Sequence, residues 1–174
     1  YASKLLLALY NILYFIIGHR LKTYKLKKLA NQIGKGIAET NWWKIAKQYN
    51  LEEKLKNYPD IALYGEVYGD VQKLKYGCKP GELKFAVFDV YDVNKKEYYG
   101  YEDFKRFTKE IDVPTVPELY VGKWNFDEAY KMSNGKTTIP GANHIREGIV
   151  IKPLKERTAP GLGRVIVKLV GEEY

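Results

Sequence analysis

Charged side chains are rarely buried without a partner, so a carboxylate or lysine inside an apolar run marks a place where chemistry can happen. Glu66 lies in YGEVYG at 64–69, where the flanking glycines leave room for a ligand to approach the backbone. Phe88 and Asp89 sit inside FAVFDVY at 85–91, Glu147 precedes Gly148 in REGIVIKP at 146–153, and Lys168 closes RVIVK at 164–168. Taken singly, each charge is accounted for by an edge strand. A further feature is the cluster His19, Arg20, Lys22, Lys25, Lys27 and Lys28. It is able to neutralise several phosphates and would make nucleic-acid binding salt-dependent; its bland reading is a solvated basic face.

The elements that must position these residues are legible from periodicity. From Thr40, a candidate N-cap, Trp42, Ile45, Ala46 and Tyr49 recur at helical spacing, and the helix continues through LEEKLKN after a break near Asn50. Ile61 to Tyr68 predicts a strand ended by Gly69, and Leu83 to Tyr91 predicts another, with a turn at Gly77 to Gly81 between them. Tyr101 to Ile111 reads as a helix with Phe104, Phe107 and Ile111 on one face, and Phe126 to Met132 as a shorter helix before a Ser133-Asn134-Gly135 turn. Ile145 to Ile151 and Arg164 to Val170 complete the set as strands. Helices and strands are interspersed without a βαβ rhythm, which favours α+β with mainly antiparallel sheet.

Composition narrows the function classes. Of 174 residues 45% are apolar and 14% aromatic, too many for a disordered chain and enough for one domain with a core, or two small ones. One cysteine and two histidines exclude an internal disulfide and a structural zinc site built on Cys and His, and point to a reducing, cytoplasmic compartment. The net charge of +8 is uneven: residues 1–58 carry 11 Lys/Arg against 3 Asp/Glu, whereas residues 59–145 carry 12 against 14, so the surplus lies near the N-terminus. The apolar run Leu5 to Ile17 is too short for a membrane span, lacks a small-residue cleavage site and is interrupted by Asn11, which fits a buried hairpin better than a targeting segment.

In order, GEVYG at 65–69, FAVFDVY at 85–91, REGIVIKP at 146–153 and the strand ending at Lys168 resemble motifs III, IIIa, IV and V of the covalent nucleotidyltransferases, and most of all the ATP-dependent RNA ligases. Gly18-His19-Arg20 looks like the end of motif Ia, and the NWWKIAKQYNLEEKL helix is similar to that group as well. The resemblance implies an α+β nucleotidyltransferase (ATP-grasp-like) domain spanning 1–174, of mainly antiparallel sheets flanked by helices. It implies ATP and Mg2+ or Mn2+ as cofactors, RNA with 5′-phosphate and 3′-hydroxyl ends as partner, and neither a membrane nor a protein partner. By the same resemblance Glu66 and Arg20 contact the ribose, Phe88 stacks on adenine, Glu147 binds metal at the phosphate and Lys168 clamps the α-phosphate. Lys152 either adds a second positive charge there or points to solvent. Phe88 also reads as a plain core aromatic, and Asp89 as either a support for the site or an edge residue.

The chain departs from the family pattern in three places. The nucleophilic lysine belongs to a Lys-x-Asp/Asn/His-Gly motif upstream of motif Ia, and no such tetrapeptide stands there; Lys4 is followed by three leucines. That predicts a domain lacking its motif I segment. Motif V usually offers two lysines one residue apart, whereas Val170 follows Lys168 at that spacing, and His19 stands where the family has Ser. Two alternatives share the motif order: a nucleotide- or RNA-binding module without a nucleophile, and a DNA ligase or capping guanylyltransferase.

Overall fold

Residues 41–71 and 73–174 are described by the structure, a computed structural model. The hairpin expected at 5–17, the basic cluster at 19–28, Arg20 and the N-cap Thr40 fall outside them. The described chain divides into two compact units, 41–67 with Lys84–Tyr99 and Asp103–Thr115, and 68–83 with Gly100–Glu102 and Val116–Tyr174.

In the first unit the helical spacing around Trp42 produces α1 (Asn41–Gln48), which buries Ile45 and Ala46. Tyr49 stands one residue past it, its hydroxyl accepting from the Phe85 backbone N–H at 3.3 Å. The expected break falls at Asn50, in the left-handed conformation (φ 51°) that asparagine tolerates better than most residues. The second helix, α2 (Leu51–Lys54), is a single turn rather than the seven-residue LEEKLKN continuation.

Strands β1 (Ile61–Gly69), β2 (Leu83–Asp92) and β3 (Glu97–Tyr98) form one sheet in that order. β2 is buried along most of its length, as its continuous apolar run predicts. The two-residue β3, not expected from sequence, pairs antiparallel with β2, Tyr91 opposite Tyr98. Its turn is set by the Asp92 carboxylate, which accepts from the backbone N–H of Asn94 at 3.0 Å and of Lys95 at 2.9 Å. These bonds, the one from Lys95 foremost, hold the Asp92 carboxyl below its ordinary range.

Helix α3 (Tyr101–Glu110) turns Phe107 and Thr108 inward, and Ile111 is buried just beyond its end. Phe107 meets the edges of Tyr58 and Tyr99 at centroid distances of 5.0 and 5.7 Å. After α3 the chain runs alongside β2, where the Val87 N–H donates to Pro114 O at 2.8 Å and Val87 bridges Thr115 in parallel.

In the second unit, α4 (Phe126–Ser133) is capped by Asn125, whose Oδ1 accepts from the Glu128 N–H at 3.1 Å. It packs against an antiparallel ribbon of β4 (Gly148–Ile151) and β7 (Val167–Val170). Between those strands lies the small hairpin β5 (Thr158–Ala159) and β6 (Gly163–Arg164). Two expectations are corrected here. The strand expected over Arg164–Val170 is two strands, because Arg164 is tied to Glu156 and its backbone pairs with Thr158. The strand expected from Ile145 begins only at Gly148, because Ile145 bridges Lys136 and Arg146 donates to Gly135 O. The fold is mixed helix and antiparallel sheet, as expected. Among the described residues no helix is long and apolar enough to cross a membrane.

Candidate active site

Glu66 lies on β1, exposed between buried Gly65 and Val67, and Phe88 lies half-buried on the neighbouring strand β2. The glycines beside Glu66 have a different use from the one expected. A Cβ on Gly65 would come within 2.4 Å of the Phe85 ring and 2.8 Å of Ala86 O, so the space is filled by the core aromatic of β2. The space at Gly69 is likewise taken by Glu82 O and Cys78. Beyond Gly69, Asp70 accepts from the Gly81 N–H at 2.8 Å and pairs with Lys75; Lys75 first and Gly81 second hold its carboxyl below the usual range. These bonds brace the turn joining β1 to β2.

Asp89 is buried on β2 near a cluster of Tyr64, Tyr91 and Tyr98, whose ring centroids lie 4.8 to 6.4 Å apart. Burial, with Tyr98 beside it, pushes the Tyr64 hydroxyl pKa up.

In the second unit the structure brings together two of the expected residues that are far apart in sequence. The β4–β7 register sets Val150 opposite Lys168 and Gly148 opposite Val170, and the Lys168 ammonium donates to Oε1 of Glu147. The Gly171 N–H extends the pairing to the Glu147 carbonyl at 2.9 Å. Gly148 makes this approach possible: at φ 149° a Cβ there would lie 2.1 Å from Leu169 O, closer than any side chain is tolerated. Sequence reasoning singled out Glu147 and passed over this role of its neighbour, although the Glu-Gly pair carried the signal. Lys152 lies half-buried one residue past the end of β4. Arg20 lies outside the described residues.

The side chains of Lys168 and Glu147 are 51% and 38% exposed, so both charges face solvent and remain within reach of a ligand. Among the described residues no group of three or more His, Cys, Asp or Glu side chains is gathered into a metal cage. One accessible carboxylate suits a hydrated Mg2+ or Mn2+ whose other ligands are waters and phosphate oxygens. It does not suit zinc, which takes three or four protein ligands.

Comparison with known proteins bears on the family and the fold. The RNA ligase family matches residues 11–170. Among solved structures, the fold is similar to that of Naegleria gruberi RNA ligase in a variant bound to ATP and manganese (TM-score 0.62) and in a variant bound to AMP and manganese (TM-score 0.63), each at 24% identity over 79% of this chain. The same ligase with pyrophosphate matches at 24% identity, over 79% of this chain, with TM-score 0.62. The chain spans 41% of the length of those structures. No curated protein matches it.

Proposed function

The chain belongs to the RNA ligase family, and from that premise we propose that it is the adenylation domain, over 1–174, of an ATP-dependent enzyme that joins RNA 3′-hydroxyl and 5′-phosphate ends. The observation that carries the reading is the Glu147–Lys168 pair. Residues 21 positions apart meet on one ribbon, supplying a carboxylate for a divalent ion beside an ammonium for a phosphate. The chemistry is three displacements at phosphorus. A lysine nitrogen attacks the α-phosphate of ATP and pyrophosphate leaves; the RNA 5′-phosphate takes the AMP and frees the lysine; the 3′-hydroxyl attacks that 5′-phosphorus and AMP leaves. In-line positioning and charge stabilisation supply the rate in each step.

The residues of this chain divide the work. Glu66 and Arg20 hold the ribose, Phe88 covers the adenine face, and Lys168, with Lys152 as a second positive charge, neutralises charge developing on the α-phosphate. Glu147 would hold a bound Mg2+ or Mn2+, which when present polarises the phosphoryl oxygens. The similar ligase structures that hold ATP or AMP with manganese support nucleotide and divalent ion as the reactants of this fold.

Intact mass of the full protein, before and after incubation with ATP and Mg2+ or Mn2+, tests the reading. We expect one covalent AMP, discharged when a 5′-phosphorylated RNA is added and replaced by sealed product when a 3′-hydroxyl end is adjacent. ATP binding without any covalent AMP would instead make this a nucleotide-binding module.

A further inference from the structure

The connection from β4 to β7 is long and basic. Between Lys152 and Arg164 it carries Lys152, Lys155, Arg157 and Arg164 against the single carboxylate Glu156. Its stem is rigid. Arg164 grips Glu156 with two parallel bonds, Nε to Oε2 at 2.9 Å and Nη2 to Oε1 at 2.6 Å, and both side chains are four-fifths buried. Thr158 pairs with Arg164 and Ala159 with Gly163, the Val165 N–H donates to Arg157 O at 3.0 Å, and the tip closes through Leu162 N–H to Ala159 O at 3.1 Å. The base is pinned where the Tyr101 N–H donates to Leu154 O at 2.9 Å. Because Glu156 is consumed by Arg164, the hairpin holds no second carboxylate to neutralise its other cations. Lys155 and Arg157 are exposed, and neither has an ion-pair partner among the described residues.

The hairpin springs from the end of the ribbon, where Ile151 faces Val167, one residue from Lys168. A strand rises about 3.3 Å per residue, so the root of the stem lies one residue's rise from Lys168, through which a polyanion on the stem approaches the Glu147–Lys168 pair. Exposed, unpaired cations on a braced scaffold complement a phosphodiester backbone, and a hydrogen-bonded stem sets the spacing at which they meet it. We propose that residues 152–164 form a clamp for the RNA strand, Lys155 and Arg157 each neutralising one backbone phosphate beside the ribbon. The proposal rests on the RNA ligase reading and adds to it the element that holds the polynucleotide.

The test is the salt dependence of binding of a single-stranded, 5′-phosphorylated oligoribonucleotide by the full protein, read by fluorescence anisotropy, with ATP affinity measured in parallel. A single strand contributes about 0.7 to the slope of log K against log salt for each phosphate neutralised. Lys155→Gln with Arg157→Gln should therefore lower the slope by about 1.4, while Arg157→Lys alone keeps it and Lys109→Gln, on α3, leaves it unchanged. ATP affinity should be the same in all four proteins. A wild-type slope in the double variant, or an equal fall in Lys109→Gln, overturns the clamp while leaving the ligase reading intact. Wild-type protein that binds ATP but no RNA overturns the clamp and the RNA half of that reading together; failure to bind ATP strikes at the reading itself.

Discussion

The two units of this chain bury their apolar residues very differently. Among the described residues, nearly all of the buried hydrophobic side chains, from Ile45 through Val87 and Val90 to Val113, belong to the first unit, whereas every large hydrophobic that is exposed, Val71, Trp124, Val150, Leu162 and Val170 among them, belongs to the second. The first unit is held by its core. The second is held by caps, ion pairs and strand pairing, and it carries the Glu147–Lys168 pair. Burial that stabilises a strand also removes its polar groups from reach of a ligand, so a ribbon with the phosphate-binding role proposed above does better to remain open.

The largest effect that would break this contrast is expected in the core of the first unit. Phe107→Ala removes a buried ring wedged between Tyr58 and Tyr99 and should cost about 3–5 kcal/mol in urea unfolding, a large share of an ordinary domain's stability. Val150→Ser, on β4 where the residue is 57% exposed, should change the same unfolding free energy by no more than about 0.5 kcal/mol. Equal costs would mean that the ribbon is as tightly packed as the core.

A smaller and more local effect is expected at Gly148. Gly148→Ala places a Cβ against Leu169 O in a backbone conformation foreign to L-residues, a strain of about 1–3 kcal/mol. Amide hydrogen exchange at Val150 and Lys168 should quicken, with exchange at Val87 and Val90 unmoved. Protection unchanged at β4 would show that the ribbon accommodates a side chain there.

The smallest effect concerns pH. Asp92 has its folded carboxyl pKa depressed by the Lys95 and Asn94 amides and the Lys95 charge, so its stabilising contribution is present above the unfolded value, about 3.9, and is lost as pH falls through the folded value. Asp92→Asn, which keeps an acceptor but cannot titrate, should flatten the acid limb of stability below about pH 4. Parallel acid limbs in the two proteins would remove Asp92 from that slope.

Much of this was legible because the first unit obeys simple periodicities. Trp42, Ile45 and Ala46 announce α1, Asn50 its break, and the continuous apolar run of Leu83 to Tyr91 a buried strand. Reading failed where pairing depends on a partner that the local sequence does not name. Arg164 looks like the first residue of a long strand until Glu156 turns it into a hairpin. Glu97 and Tyr98 are too few to signal β3, and the glycines around Glu66 advertise space without saying that Phe85 and Cys78 fill it. The candidate site was legible as residue types in order, and the contact between Glu147 and Lys168 required the register of two strands.

That contact makes the resting ribbon self-quenching. Each partner holds the charge a ligand needs, and each cancels the other, so an isolated anion or cation meets a locally neutral surface. An exposed pair contributes only about 0–1 kcal/mol, and opening it is therefore easy for a ligand that brings both signs at once. A phosphate already joined to a divalent cation replaces one ion pair with two, whereas either ion alone breaks one to make one. If the pair serves the proposed site, selectivity for the joined species over its components would follow from the geometry of the ribbon, before any other residue takes part.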